Sequence, residues 1–254
     1  NSIFLTICVT AINVYSHLGA VSSATGGSGR GAVEPVDGIF VNPATLADLP
    51  QKTFSINYSA DEWAMLASDS GRESYFPAAL EFTKKTEKNI QTQRFGLSVA
   101  TRRWNRLSFG LKGAMVEYSD ISSLTIQNRY RQTVLDFAGT ALLSDNLGFG
   151  FVVNKVASNK IELNESLQLQ KTLGVGFAYT FENFLRFRLD AESAPEYKTN
   201  RYVLMTGVEN YISDFMVLRF GYRSDKVLLE NYGTAGLGFS GPQFGLHYAY
   251  IANV

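Results

Sequence analysis

The stretch Thr172-Leu-Gly-Val-Gly-Phe-Ala-Tyr-Thr-Phe181 alternates without a break. Leu173, Val175, Phe177, Tyr179 and Phe181 fall on one side of an extended chain; Thr172, Gly174, Gly176, Ala178 and Thr180 fall on the other. Successive strand side chains point to opposite faces, so this is a strand with one apolar face and one small, polar face. The pattern recurs on both sides of it. Phe54, Ile56 and Tyr58 oppose Ser55, Asn57 and Ser59, and Phe95, Leu97 and Val99 oppose Gly96, Ser98 and Ala100. Leu107, Phe109, Leu111 and Met115 oppose Ser108, Gly110, Lys112 and Ala114. Leu185, Phe187 and Leu189 oppose Arg186, Arg188 and Asp190, and Phe244, Leu246, Tyr248 and Tyr250 oppose Gly245, His247 and Ala249.

A soluble sandwich would pack the apolar face on a second sheet; a membrane barrel turns it to lipid. The opposite face decides. It is rich in glycine, Arg, Lys, Asp and Glu, which suits a crowded polar lumen, so the sequence predicts an all-β fold, a transmembrane antiparallel β-barrel. Tyr130, Tyr179, Phe181, Tyr202, Tyr211, Tyr222, Tyr248 and Tyr250 stand near strand ends, where interfacial girdles are expected.

Tight turns at 104–105, 144–146, 182–183, 212–214 and 241–242 alternate with longer polar loops at 84–92, 118–128, 156–170, 192–200 and 224–231. That asymmetry matches short periplasmic turns and longer external loops. With residues 62–68 as a short second strand the count is about thirteen, and bacterial barrels have even counts. The reading therefore expects about fourteen strands, the last of them missing after Tyr250-Ile-Ala-Asn-Val254. If 62–68 were a loop, a complete barrel of about twelve would follow.

Composition agrees. The chain has 254 residues, which one all-β domain can accommodate. Its 23 basic and 23 acidic residues balance, so there is no electrostatic footprint for nucleic acid. No apolar run after residue 20 is long enough for a spanning helix. The single cysteine, Cys8, leaves no disulfide framework and no thiolate metal site.

Three segments are expected: a signal-peptide-like segment (1–24), an N-terminal plug or hatch (25–50) and the barrel (51–254). The first rests on the apolar run of residues 3–14, too short to span a bilayer, followed by the small residues Ser22-Ser23-Ala24. In the second, Gly26, Gly27, Gly29 and Gly31, with Pro35 and Gly38, rule out a regular helix or central strand. Asn42-Pro43 initiates a turn, since Pro43 drives Asn42 away from the helical region.

This segment resembles the start of FadL-type outer-membrane transporters and their PorV-like relatives. The likeness is carried by Gly29-Arg-Gly-Ala-Val-Glu-Pro35, Asp37-Gly38 and Asn42-Pro-Ala-Thr-Leu-Ala47, with fainter echoes in Gly207-Val-Glu-Asn-Tyr211, Leu218-Arg-Phe-Gly-Tyr222 and Gly245-Leu-His-Tyr-Ala-Tyr250. The resemblance implies localisation in the bacterial outer membrane, a hatch inside the barrel to which Asn42, Pro43 and Ala44 belong, and hydrophobic substrates leaving through the wall. It also implies partners: outer-membrane lipid, with either a hydrophobic small molecule or, for a PorV-like docking barrel, other envelope proteins.

The sequence offers no enzyme constellation, and no catalytic, cofactor or metal site is expected. An outer-membrane phospholipase would need a Ser–His pair facing lipid, whereas His247 by parity faces the lumen. The glycine-rich run lacks the Lys-Ser/Thr ending of a phosphate loop. The informative cluster is luminal charge: Lys112, Arg186, Arg188, Asp190, Glu192, Glu209, Arg219 and Arg223. Buried charges are rarely tolerated alone, so a mixed-sign network or a water-lined passage is expected.

Overall fold

The computed structural model describes residues 4–10, 18–32, 37–49, 51–71, 74, 76–87, 90–101, 104–120, 129–162, 169–194, 202–226 and 228–254. One closed barrel holds β1 (Phe4–Thr10), β2 (Thr53–Ser59), β3 (Glu62–Asp69), β4 (Ala78–Glu87), β5 (Ile90–Ala100), β6 (Leu107–Asp120) and β7 (Arg129–Leu142). It continues through β8 (Leu147–Ser158), β9 (Thr172–Phe181), β10 (Leu185–Ser193), β11 (Tyr202–Tyr211), β12 (Met216–Asp225), β13 (Glu230–Ser240) and β14 (Phe244–Asn253). From β2 to β14 every strand pairs antiparallel with its sequence neighbour. Strand β1 lies between β14 and β2, parallel to both. Helices α1 (Ala20–Ala24) and α2 (Gly38–Val41) and a 3₁₀ helix (Pro43–Asp48) belong to the segment joining β1 to β2.

Burial is inverted relative to a soluble protein. Ser55, Ser98, Ser108, Lys112, Gln132, Asp136, Glu209 and Arg219 are buried, while Leu97, Phe109, Leu111, Phe177, Leu189 and Phe220 are exposed. Water-soluble domains bury such apolar side chains and expose such charges. Here the apolar residues form an outward band, as lipid requires, and the architecture is a transmembrane barrel with an N-terminal plug. On that band Phe149 meets Phe177 at 5.0 Å and Phe137 meets Phe151 at 5.7 Å, cross-strand contacts between lipid-facing rings.

Several expectations are refined. Residues 62–68 lie within β3, so the twelve-stranded alternative falls. The fourteenth place, expected after β14, is taken by β1. Helix α1, within the segment expected to be signal-peptide-like, lies in the lumen against β12, β13 and β14. The ambiguity is physical: small residues suit a cleavage site, and they equally suit a helix pressed close to a wall. Tyr130 and Tyr211 do not join a girdle. Parity turns Tyr130 inward onto the cluster of Ala114, Val116, Tyr118 and Val134, and Tyr211 lies under the Arg186 guanidinium. The strands also run further into the external loops than their polar sequences suggest, β4 reaching Glu87 and β6 reaching Asp120. Beyond the bilayer an outward residue no longer needs to be apolar. His17 and the Glu34-Pro35 turn lie outside the described residues.

One irregularity interrupts the wall. Register shifts between Leu135 and Phe137 on β7, and opposite it Lys155 on β8 adopts a φ of 54°. The freed Lys155 amide donates to the Asp136 carboxylate at 2.8 Å. This is a β-bulge capped by a luminal side chain, the kind of device that re-aims residues near a site.

Candidate functional site

The plug is fitted to the wall by main-chain contacts. Gly26, with a φ of 70°, makes the turn after α1, a conformation costly for residues with a Cβ. Its amide donates to Thr234 Oγ1 at 3.0 Å, and that hydroxyl donates to the Ala24 carbonyl at 3.0 Å. Further along, Gly29 and Arg30 amides both donate to Asp190 Oδ2 at 2.9 Å. The Arg30 guanidinium donates to the same oxygen at 3.1 Å and pairs with Glu192 through its other amino group. The Arg30 carbonyl then sits where a Cβ on Gly150 would be, so the wall needs glycine there.

Asn42 braces the plug internally. Its Nδ2 donates to the Arg30 carbonyl at 2.7 Å and to the Gly139 carbonyl at 3.3 Å, while Oδ1 accepts from the Ala44 amide at 3.0 Å. Pro43 fixes the first position of the 3₁₀ helix, where no amide is needed. Ala44 is fully buried against Ala138 and Val152. The second half of the plug is apolar: Ile39, Phe40, Leu46 and Leu49 pack on Ala64, Leu66, Ala79 and Ala100.

Charge in the lumen divides into two networks. On β10–β12, Glu209 accepts from Arg188 Nε at 2.9 Å and Arg219 Nε at 2.9 Å, with Arg186 at 3.5 Å. Arg219 Nη1 also lies 3.2 Å from His247 Nδ1. Arg223 stands apart with Asp225 at 2.8 Å. On β4–β7, Glu81 pairs with Arg94 at 3.2 Å and with Lys112 at 3.3 Å, and Arg94 reaches Asp136 at 3.0 Å. Lys112 Nζ also lies 3.4 Å from the Phe40 carbonyl, linking this network to the plug. Asp190 is the link on the other side.

Lys112, Arg188, Asp190, Glu209 and Arg219 are therefore buried and ion-paired; Arg186 and Arg223 are more open, with side chains 23% and 12% exposed. The reading of the sequence missed Glu81, Arg94, Asp136 and Arg30. The first three carry the same signal as the rest, a charge between lipid-facing neighbours such as Leu80 and Phe82. Arg30 carries none, because a glycine-rich segment has no period.

Between plug and wall lies a partly open cleft. Leu18, Phe40, Val41, Val134, Leu169 and Ala194 supply apolar lining, and Arg30, Arg94, Asp136, Lys155 and Glu192 supply charge. Its wall contains the β8 bulge and the external ends of β9 and β10, so it occupies the external half of the lumen. Among the described residues no three His, Cys, Asp or Glu side chains converge as a metal site.

No family model matches the sequence, and no curated protein matches it. Solved structures do share its architecture. The CymD monoaromatic hydrocarbon channel is 12% identical, with 95% of this chain and 94% of that chain covered, at a TM-score of 0.65. The Pseudomonas putida toluene transporter TodX is 13% identical, over 89% of this chain and 90% of that one, at 0.60. A Pseudomonas aeruginosa FadL homologue is 11% identical, over 92% and 89%, at 0.58. The likeness is one of fold: this chain has the architecture of the FadL-type membrane barrels.

Proposed function

We propose that this chain is a non-enzymatic barrel of the bacterial outer membrane that passes small hydrophobic compounds inward. The observation that carries the reading is the external cavity, with apolar lining drawn from both plug and wall, in a fold shared with hydrocarbon channels. A cleft lined by apolar side chains and a few charged ones suits a small ligand held by contact rather than by many hydrogen bonds. Below it the plug touches the wall directly, which disfavours a straight axial route.

The test is uptake of a labelled monoaromatic hydrocarbon by cells lacking other such channels. The Val134→Trp and Ala194→Trp variants fill the cavity and should reduce uptake to the level of empty cells. Uptake equal to wild type in both, with normal amounts of folded barrel, would refute the route. A second reading draws on the same plug contacts and on the ion-paired luminal charges: a filled barrel that docks other envelope proteins. Stable co-purification of one envelope protein, with no hydrocarbon uptake, is the result that favours it.

A further inference from the structure

The outer wall carries a charged strip that the cavity does not explain. Register aligns Trp63 with Lys84, Lys84 with Gln93, Gln93 with Glu117, and Glu117 with Arg131. Arg129 stands two residues nearer the external end of β7. All of these alternate with luminal residues, so they face outward. The row next toward the midplane is Met65, Phe82, Phe95, Met115 and Thr133, apolar except for Thr133 on β7, with Phe95 and Met115 exposed. The strip therefore begins where the lipid-facing band ends, at the height of lipid headgroups.

Its charge is unbalanced. Arg131 pairs with Glu117 at 3.2 Å and Arg129 with the same carboxylate at 3.8 Å, and both arginine side chains remain 64% exposed. Lys84 makes no ion pair among the described residues. The strip thus sets three cations against one carboxylate, which only the two arginines share, leaving two positive charges in excess. The external ends of β11, β12 and β13 instead turn Tyr202, Ser224 and Asn231 outward, none of them charged.

We propose that this strip holds the phosphorylated headgroup of an outer-leaflet glycolipid. Guanidinium groups match phosphate oxygens in pairs, Gln93 can hydrogen-bond a sugar hydroxyl, and Trp63 sits at the depth where indole rings favour the interface. The proposal rests on the outer-membrane placement above, though not on any transport.

The test compares the full chain with a Lys84→Gln/Arg129→Gln/Arg131→Gln variant, matched for folded barrel by heat-modifiable migration. Binding of bisphosphorylated lipid A, and of its dephosphorylated form, is measured in phosphatidylcholine nanodiscs. Each cation near a charged surface is worth on the order of five-fold in affinity, so the triple variant should bind about a hundred-fold more weakly. Equal binding by both proteins overturns the proposal, as does equal binding of the two lipid forms. Displacement by millimolar inorganic phosphate also overturns it, by marking a site for a free anion. Hydrocarbon uptake by the triple variant should match wild type; a wild type without any uptake would count against the proposed transport and leave this result standing.

Discussion

Asp190 is where the plug is most tightly fastened, and its removal has a calculable effect. One carboxylate oxygen accepts from two plug amides and from the Arg30 guanidinium, and the side chain of Asp190 is fully buried. In Asp190→Ala the two amides lose their acceptor and Arg30 keeps Glu192 as its remaining ion-pair partner. Breaking a buried pair from one side costs about 3–5 kcal/mol, and the lost charge-assisted hydrogen bonds fall within the same range rather than adding to it. The barrel ladder of β9, β10 and β11 is unaffected, so the loss should appear as local opening of the plug, not as unfolding. Hydrogen exchange by mass spectrometry reads this directly. Amides of residues 28–32 should exchange on the order of 10²–10⁴-fold faster, with β10 protection unchanged. Protection of residues 28–32 within about threefold of wild type would refute the reasoning, because such a small change is under 1 kcal/mol.

Glu209→Gln should destabilise the barrel itself, since it leaves Arg188 and Arg219 without their shared carboxylate; a loss of about 3–5 kcal/mol in urea unfolding from detergent is expected. Adding Arg219→Met should recover part of it, and a double variant no better than the single would show that the two groups are not coupled. Phe177→Arg places a cation in the middle of the lipid-facing surface of β9, and should cost about 2–4 kcal/mol in folding into liposomes. A smaller penalty in liposomes than at Tyr202, near the external end, would contradict the proposed membrane depth.

Much of the barrel was legible because the two solvents of its wall are so different. Leu173 to Phe181 must alternate when lipid lies on one side and a crowded lumen on the other, and even the short β3 shows through as the strand that keeps turns and loops in sequence. Tyr130 and Tyr211 were misread as girdle residues because nearness to a strand end is a weaker signal than parity, and parity put them inside. The plug resisted reading for a deeper reason. Its contacts are made by amides and carbonyls, such as those of Gly29 and Arg30, and main-chain groups leave no trace in residue type. Asn42-Pro43 was visible because its geometry is imposed locally by proline; the glycine run showed what the segment could not be, and not what it touches.

The close approach of Arg30 to Gly150 bears on how such a chain can change over time. The atom filling that space is a carbonyl oxygen, which every residue possesses, whereas the wall must offer a position with no side chain at all. Drift in the plug sequence is therefore cheap wherever only its backbone is held, and drift at the wall glycines is dear. A saturation library should show the footprint of the plug as intolerant positions on β6, β8, β9, β11, β12 and β13, on a face where nothing but their emptiness connects them.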